Sequence, residues 1–277
     1  MTIVRRETRK QREARIENRK FWGLIIFGLI LLGVLAAAII WVRSHHEEID
    51  AMLCPKSGVR AVHLILIDHT DPIRPQQQQG IFNWLDRQIE GAKRGGERFD
   101  VYTVTGDAVN VLDPKLQICS PGRGDDANSL YQNPDIIRRK FERDFVATIR
   151  KEIKELLVAP ELPTSPILES IRASAMSSFG RFERGQVPLR MTIISDLIQN
   201  TPILDQYHNA VTFDAFSRSP GWRSVIADLK GAQVYVIYLV RQKAMRAGKP
   251  IQDRAHQLFW EKAIEASDGE AVAIDAL

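Results

Sequence analysis

Cysteine is scarce in this sequence: two residues, Cys54 and Cys119, occur among 277. Neither has another cysteine or a histidine at the spacing of a zinc site, which argues against a structural zinc. The sequence also lacks a phosphate-binding P-loop and a Gly-x-Ser-x-Gly motif, and its histidines are too scattered to indicate a catalytic triad. These absences argue against nucleotide-driven and serine-based catalysis.

An excess of positive charge is lacking outside the N-terminus. Residues 1–20 contain eight Lys or Arg against three Glu, whereas residues 44–277 contain 29 basic and 31 acidic residues. The larger part of the chain therefore has no cationic bias toward nucleic acid. We expect the basic tail, residues 1–20, to lie in the cytoplasm, where it either contacts anionic lipid headgroups or acts only as a solvated topology signal.

One long apolar run is present, at residues 21–42, and it contains no charged residue, Asn, Gln or Pro. At about 1.5 Å per residue, a helix of this length spans the roughly 30 Å hydrocarbon core of a bilayer. The alternative is a signal peptide, whose apolar core has about 7–15 residues before a small-residue cleavage site. Because this run is longer and ends at Trp41-Val42-Arg43, we predict an uncleaved transmembrane helix at 21–43.

The flanking charges predict that the chain after the helix lies in the periplasm or outside the cell. Residues 44–58 are polar and are predicted to form a stalk. In an oxidising compartment Cys54 and Cys119 can form a disulfide, which would stabilise the fold by about 2–4 kcal/mol. The alternative is two unpaired thiols.

Residues 59–277 are predicted to form one α/β domain, a doubly wound and mostly parallel sheet flanked by helices. An insertion is predicted at about 113–160, where an irregular segment rich in Gly, Pro and Asp precedes a long amphipathic helix. The predicted strands are at 59–67, 99–105, 108–112, 189–195, 233–240 and 270–274. The predicted helices are at 75–93, 134–158, 167–179, 222–230 and 251–267.

Three segments near predicted strand ends carry oxygen-bearing side chains: Asp68 and Thr70 in the first, Ser165 in the second and Asp196 in the third. Carboxylates and hydroxyls without His or Cys suit a hard cation such as Mg²⁺. The alternative is structural, since Asp at a strand end often caps the following turn or helix.

This arrangement resembles the von Willebrand factor A (vWA) family, which places a metal-ion-dependent adhesion site on three loops. Asp68 and Thr70 correspond to the Asp and the first Ser of the family's Asp-x-Ser-x-Ser motif. Ser165 corresponds to a Thr at the head of a middle helix, and Asp196 to an Asp after the fourth strand. The resemblance covers residues 59–277 and implies a vWA-like fold with Mg²⁺ or another divalent cation as cofactor.

The first motif departs from the family pattern at one position. Pro72 occupies the place of the second Ser and has neither a side-chain oxygen nor an N–H. A ligand is lost there unless the neighbouring Asp71, a carbonyl group or water replaces it.

The resemblance implies a non-enzymatic module that captures a carboxylate of a protein partner, within a multi-component assembly of the cell envelope. One alternative is a haloacid-dehalogenase-like Mg²⁺-dependent phosphatase with Asp68 as nucleophile, although that family requires an Asp at the position of Thr70. A second alternative is a metal-free structural scaffold.

Overall fold

The computed structural model describes residues 9–44, 48–104, 112–125, 133–158 and 162–277. The chain divides into two compact units, Met1–Glu47 and Glu48–Leu277. The first contains helix α1, Arg9–Ser44, of 36 residues. Its segment Asn18–Trp41 is long and apolar enough to cross a membrane, a property that an anchor shares with a signal sequence. The helix begins earlier than the predicted span and includes part of the basic tail.

A six-stranded sheet forms the centre of the second unit, in the order β3-β2-β1-β4-β5-β8. All neighbours are parallel except β2 and β3. These strands are β1 Ala61–Ile67, β2 Glu97–Thr103, β3 Leu116–Cys119, β4 Leu189–Ser195, β5 Gln233–Tyr238 and β8 Glu270–Ala276. A separate two-stranded hairpin consists of β6 Met245–Arg246 and β7 Lys249–Pro250.

Helices cover both faces of the sheet, because apolar side chains of the central strands point alternately to either side. Leu64 and Leu66 pack in one apolar cluster with the helices at 167–179 and 254–266, whereas Ile65 and Ile67 pack in a second cluster with the helices at 75–91 and 147–156. The helices are α2 Pro75–Gly91, α3 Pro134–Lys140, α4 Ala147–Leu156, α5 Ile167–Phe179, α6 Phe213–Phe216, α7 Pro220–Val225 and α8 Arg254–Ala266. The predicted doubly wound, mostly parallel α/β fold is confirmed.

The strand that pairs with β2 differs from the prediction. Residues 105–111, which contain most of the strand predicted at 108–112, lie outside the described residues. The observed partner is β3, Leu116–Cys119, inside the segment predicted to be irregular. A segment of four residues is too short to show a periodic pattern of apolar side chains. Only its pairing with β2 therefore identifies it as a strand.

The segment 48–58, which forms most of the predicted stalk, contacts the domain. Cys54 forms a disulfide with Cys119, and the Cys119 N–H donates to the Met52 carbonyl at 2.9 Å. The Asp50 carboxylate accepts from the N–H groups of Met52 and Cys54. The predicted Cys54–Cys119 bridge is therefore present, and it holds this segment against the edge strand β3.

Candidate functional site

The candidate site lies where β1 and β4 end. These strands are parallel neighbours with Ile67 opposite Ile194, so Asp68 and Asp196 emerge at the same edge of the sheet. From β1 the chain continues to β2 and β3 on one side, and from β4 it continues to β5 and β8 on the other. The strand order thus reverses between β1 and β4, which makes this edge a topological switch point, where open α/β sheets usually bind ligands.

Hydroxyl groups from three segments surround the Asp68 carboxylate. The Thr70 hydroxyl donates to Asp68 Oδ1 at 2.7 Å, and the Ser195 hydroxyl donates to Oδ2 at 2.7 Å. Ser165 Oγ lies 3.1 Å from Thr70 Oγ1 and 3.5 Å from Asp68 Oδ2. All four residues are buried. The structure therefore brings together Asp68, Thr70 and Ser165 as the sequence predicts, and it adds Ser195 as a partner.

Asp196 is paired with Arg241, which is not among the predicted site residues. Its Oδ2 accepts from Arg241 Nε at 2.9 Å, and its Oδ1 accepts from the Ile198 N–H at 2.9 Å. Arg241 also donates from Nη1 to the Pro72 carbonyl and from Nη2 to the Asp71 carbonyl. Burial and the neighbouring Asp68 carboxylate raise the pKa of Asp196 above its usual range, and Arg241 opposes this shift.

Arg241 reaches the site because it lies beyond the carboxyl end of β5. Its backbone N–H donates to Gln252 Oε1 at 2.6 Å, and Gln252 Nε2 donates to the Asp196 carbonyl at 2.9 Å. Gln252 therefore couples the segment after β5 to the segment after β4. The position of Arg241 in the sequence is the signal that could have identified it. Arg241 is a cationic residue shortly after a third parallel strand, and such a residue lies at the same edge of the sheet as Asp68 and Asp196.

The oxygen atoms that a divalent cation would use are engaged by protein donors. Asp68 accepts from hydroxyl groups, Asp196 is paired with a guanidinium group, and Pro72 contributes only a carbonyl, which Arg241 already uses. The auxiliary ligand Asp71, predicted in place of the missing Ser, presents its main-chain carbonyl to Arg241.

A second layer of side chains holds the loops after β4 and before α5. Gln199 Oε1 accepts from the Leu168 N–H at 3.0 Å, and Gln199 Nε2 donates to Glu169 at 2.7 Å. His256 lies behind the β4 loop, with Nε2 at 3.1 Å from the Leu197 carbonyl and Nδ1 at 2.6 Å from the Tyr238 hydroxyl. The backbone of the site is therefore supported from α5 and from α8.

We expect acidification to destabilise the domain through His256. Burial, assisted by Arg246, lowers its pKa to about 4, while the Leu197 carbonyl and Asp253 oppose that shift. The pKa of His256 in the unfolded chain is about 6.5. Its contribution to the free energy of unfolding is therefore complete above pH 6.5 and is lost as the pH falls toward 4, at up to about 1.4 kcal/mol per pH unit. Urea unfolding measured between about pH 7 and pH 5 should show a shallower pH dependence for His256→Gln.

The matched control is His208→Gln, because the His208 side chain is 81% exposed and bonds only to Asp205 among the contacts described for it. This control should keep the pH dependence of the wild type. If the free energy of unfolding of His256→Gln has the same slope against pH as that of the wild type, His256 is not the source of the pH dependence.

A groove of about 620 Å³ opens beside Ser165. The backbones of Ser165 and Asn200 exchange two hydrogen bonds of 3.1 Å, which join the loop before α5 to the loop after β4. The groove lies along this junction and is lined by both polar and apolar residues, among them Thr164, Asn200, Ile203, Asp205, Val211 and Phe216.

No protein-family model and no curated protein matches the sequence. Among solved structures, the chain is similar to one described as the conserved hypothetical protein BatB from Bacteroides thetaiotaomicron. The similarity has a TM-score of 0.41 and 13% sequence identity, and it covers 79% of this chain and 92% of that one. A similarity of this size does not bear on function, so the site is interpreted from its own geometry.

Proposed function

We propose that this chain is a membrane-anchored, extracytoplasmic binding module of the vWA-like type, which holds a protein partner within a multi-component envelope assembly and catalyses no reaction. The observation that carries this proposal is the pair of buried carboxylates, Asp68 and Asp196, at the topological switch point. Burying charge is costly and does not help an α/β sheet to fold. We therefore interpret the pair as the support that holds the loops of this edge in place for recognition by the neighbouring surface.

The N-terminal helix and the disulfide support the proposed location. The apolar segment of α1 is long enough to span a bilayer, and residues 1–20, at and before its start, contain eight Lys or Arg. The Cys54–Cys119 bridge is typical of an oxidising compartment. In this arrangement the N-terminal tail faces the cytoplasm, where its basic residues contact anionic lipid headgroups.

The groove beside Ser165 supports a protein segment as the occupant. A volume of about 620 Å³ is sufficient for a few side chains, and Ile203, Val211 and Phe216 offer apolar contacts. The polar residues Asn200 and Thr164 line the same groove. Because residues 44–277 are slightly acidic, nucleic acid is not the proposed ligand.

Phosphatase activity is not proposed, because the geometry around Asp68 does not suit a nucleophile. Its side chain is 3% exposed, and both carboxylate oxygens accept hydrogen bonds from Thr70 or Ser195. A nucleophilic carboxylate must instead present a free oxygen to an incoming phosphoryl group.

The test is co-purification of partners with the full-length chain from detergent-solubilised membranes. Ile203 is 37% exposed in the groove, so Ile203→Arg should reduce recovery of a direct partner by about tenfold or more, the equivalent of about 1.4 kcal/mol. The control Ile226→Arg makes the same change at a residue that is 41% exposed and does not line the groove. Equal recovery of every partner with both variants would instead favour the metal-free scaffold.

A further inference from the structure

We propose that the guanidinium group of Arg241 is the resident cation of this cluster, so that the site operates without a divalent metal ion. The inference deepens the proposed function because it concerns the same residues, but its test requires no partner. It follows from three observations: the contacts of Arg241, the charge of its neighbours and the residue at position 72.

Arg241 joins the first and third loops of the site. Its Nε donates to Asp196 at 2.9 Å, while Nη1 and Nη2 donate to the main-chain carbonyls of Pro72 and Asp71. The side chain is only 15% exposed, so most of it is enclosed by these partners. A planar guanidinium group with several N–H donors suits such a set of oxygens at fixed angles, whereas an ammonium group does not.

The charges at the site explain why a cation is needed and why a second one is disfavoured. Asp68 and Asp196 are both buried, at 3% and 2% exposure, and two neighbouring carboxylates repel each other. Arg241 supplies one positive charge directly to Asp196. A divalent ion bound within a few ångströms of that guanidinium group would be repelled strongly enough to weaken its binding by at least about tenfold.

Pro72 makes the first loop compatible with arginine. It has no side-chain oxygen for a metal ion, but its carbonyl is free of any helix or strand and accepts from Arg241. A hydroxyl-bearing side chain at this position would offer a metal ligand. The residue that departs from the resemblance and the arginine that fills the site are therefore in direct contact.

The experiment compares Mn²⁺ binding, followed by the electron paramagnetic resonance of the free ion, and Mg²⁺-dependent melting of the full-length protein in detergent. The wild type should bind no Mn²⁺ at this site and should melt at the same temperature in EDTA and in excess Mg²⁺. Arg241→Ala should bind Mn²⁺ at least about tenfold more tightly than the wild type, because the repulsion is removed while both carboxylates remain. Its melting temperature should rise with Mg²⁺ through mass action.

Two controls separate this effect from a general loss of positive charge. Arg223→Ala removes the same charge from an exposed residue and should leave Mn²⁺ binding unchanged. Arg241→Ala combined with Asp196→Asn removes one of the carboxylates and should abolish the acquired binding.

Either of two results would overturn the proposal. The first is that the wild type binds a Mn²⁺ ion and Asp68→Asn does not. The second is that Arg241→Ala folds but binds no more Mn²⁺ than the wild type. If Arg241→Ala does not fold even in excess Mn²⁺, the wild type and Arg241→Lys together decide the outcome. The proposal is then supported if the wild type lacks the Asp68-dependent ion while Arg241→Lys, which keeps the charge, folds and is also insensitive to Mg²⁺. Loss of partner binding in Ile203→Arg, with these metal results unchanged, concerns only the proposed function.

Discussion

Replacing both Cys54 and Cys119 by Ala is expected to lower the free energy of unfolding by about 4 kcal/mol. The two cysteines are 65 residues apart, and a crosslink over a loop of that length restricts the unfolded chain strongly. The bridge also holds the segment 48–58 against β3, which covers part of an edge strand. Urea unfolding of the full-length protein in detergent, with and without a reducing agent, measures the effect.

The reducing agent should destabilise the wild type by a similar amount and leave the Cys54→Ala, Cys119→Ala variant unaffected. A wild type whose unfolding does not respond to reduction would contradict the expected contribution. The same cysteines report on topology: after whole cells are denatured in acid to trap the thiols, an extracytoplasmic domain should accept a thiol-reactive mass label only after reduction, whereas a cytoplasmic domain should be labelled directly.

Arg98→Met is expected to destabilise the domain by about 3–5 kcal/mol, because it leaves the charge of Asp100 buried without its partner. Arg98 and Asp100 are 2% and 0% exposed, and they are joined by hydrogen bonds of 2.6 to 3.0 Å. Arg98 also donates to the Ser178 carbonyl at 2.9 Å, so the pair connects β2 to the end of α5. Urea unfolding of the single and double variants forms a double-mutant cycle.

Replacing both partners, with Arg98→Met and Asp100→Leu, should restore most of the lost stability, because no uncompensated charge remains. The matched control is Arg150→Met. Arg150 pairs with Asp86 on the surface, with both side chains nearly half exposed, and should contribute less than about 1 kcal/mol. If Arg98→Met lowers the free energy of unfolding by no more than Arg150→Met does, Arg98 and Asp100 are not coupled as the structure indicates.

Most of the fold could be predicted from the sequence, because the signals of its elements are local. The predicted strand at 189–195 matches β4 residue for residue, and the helix predicted from residue 134 begins at Pro134, although a π-helical turn, Phe141–Val146, interrupts it. β3 was missed because it is short and its partner is β2. Pairing between strands depends on contacts that periodicity within one segment does not contain.

The site was predictable in part for the same reason. Asp68 and Asp196 follow apolar strands, so their shared edge follows from parallel pairing. Ser195 and Arg241 also lie at the carboxyl ends of parallel strands, but this position alone does not identify the groups that they contact. Ser195 is 127 residues from the carboxylate that it contacts, and Arg241 reaches back to carbonyls about 170 residues earlier in the chain.

The apolar helix, the order of most strands and helices, and the side chains available at the carboxyl edge of the sheet follow from the amino-acid sequence alone. These are properties of composition and of short-range periodicity, which do not depend on distant parts of the chain. The pairing of Arg241 with Asp196 and the attachment of the segment 48–58 to the domain are evident only from the folded chain. Both depend on how strands pack side by side, which places residues distant in sequence within bonding distance.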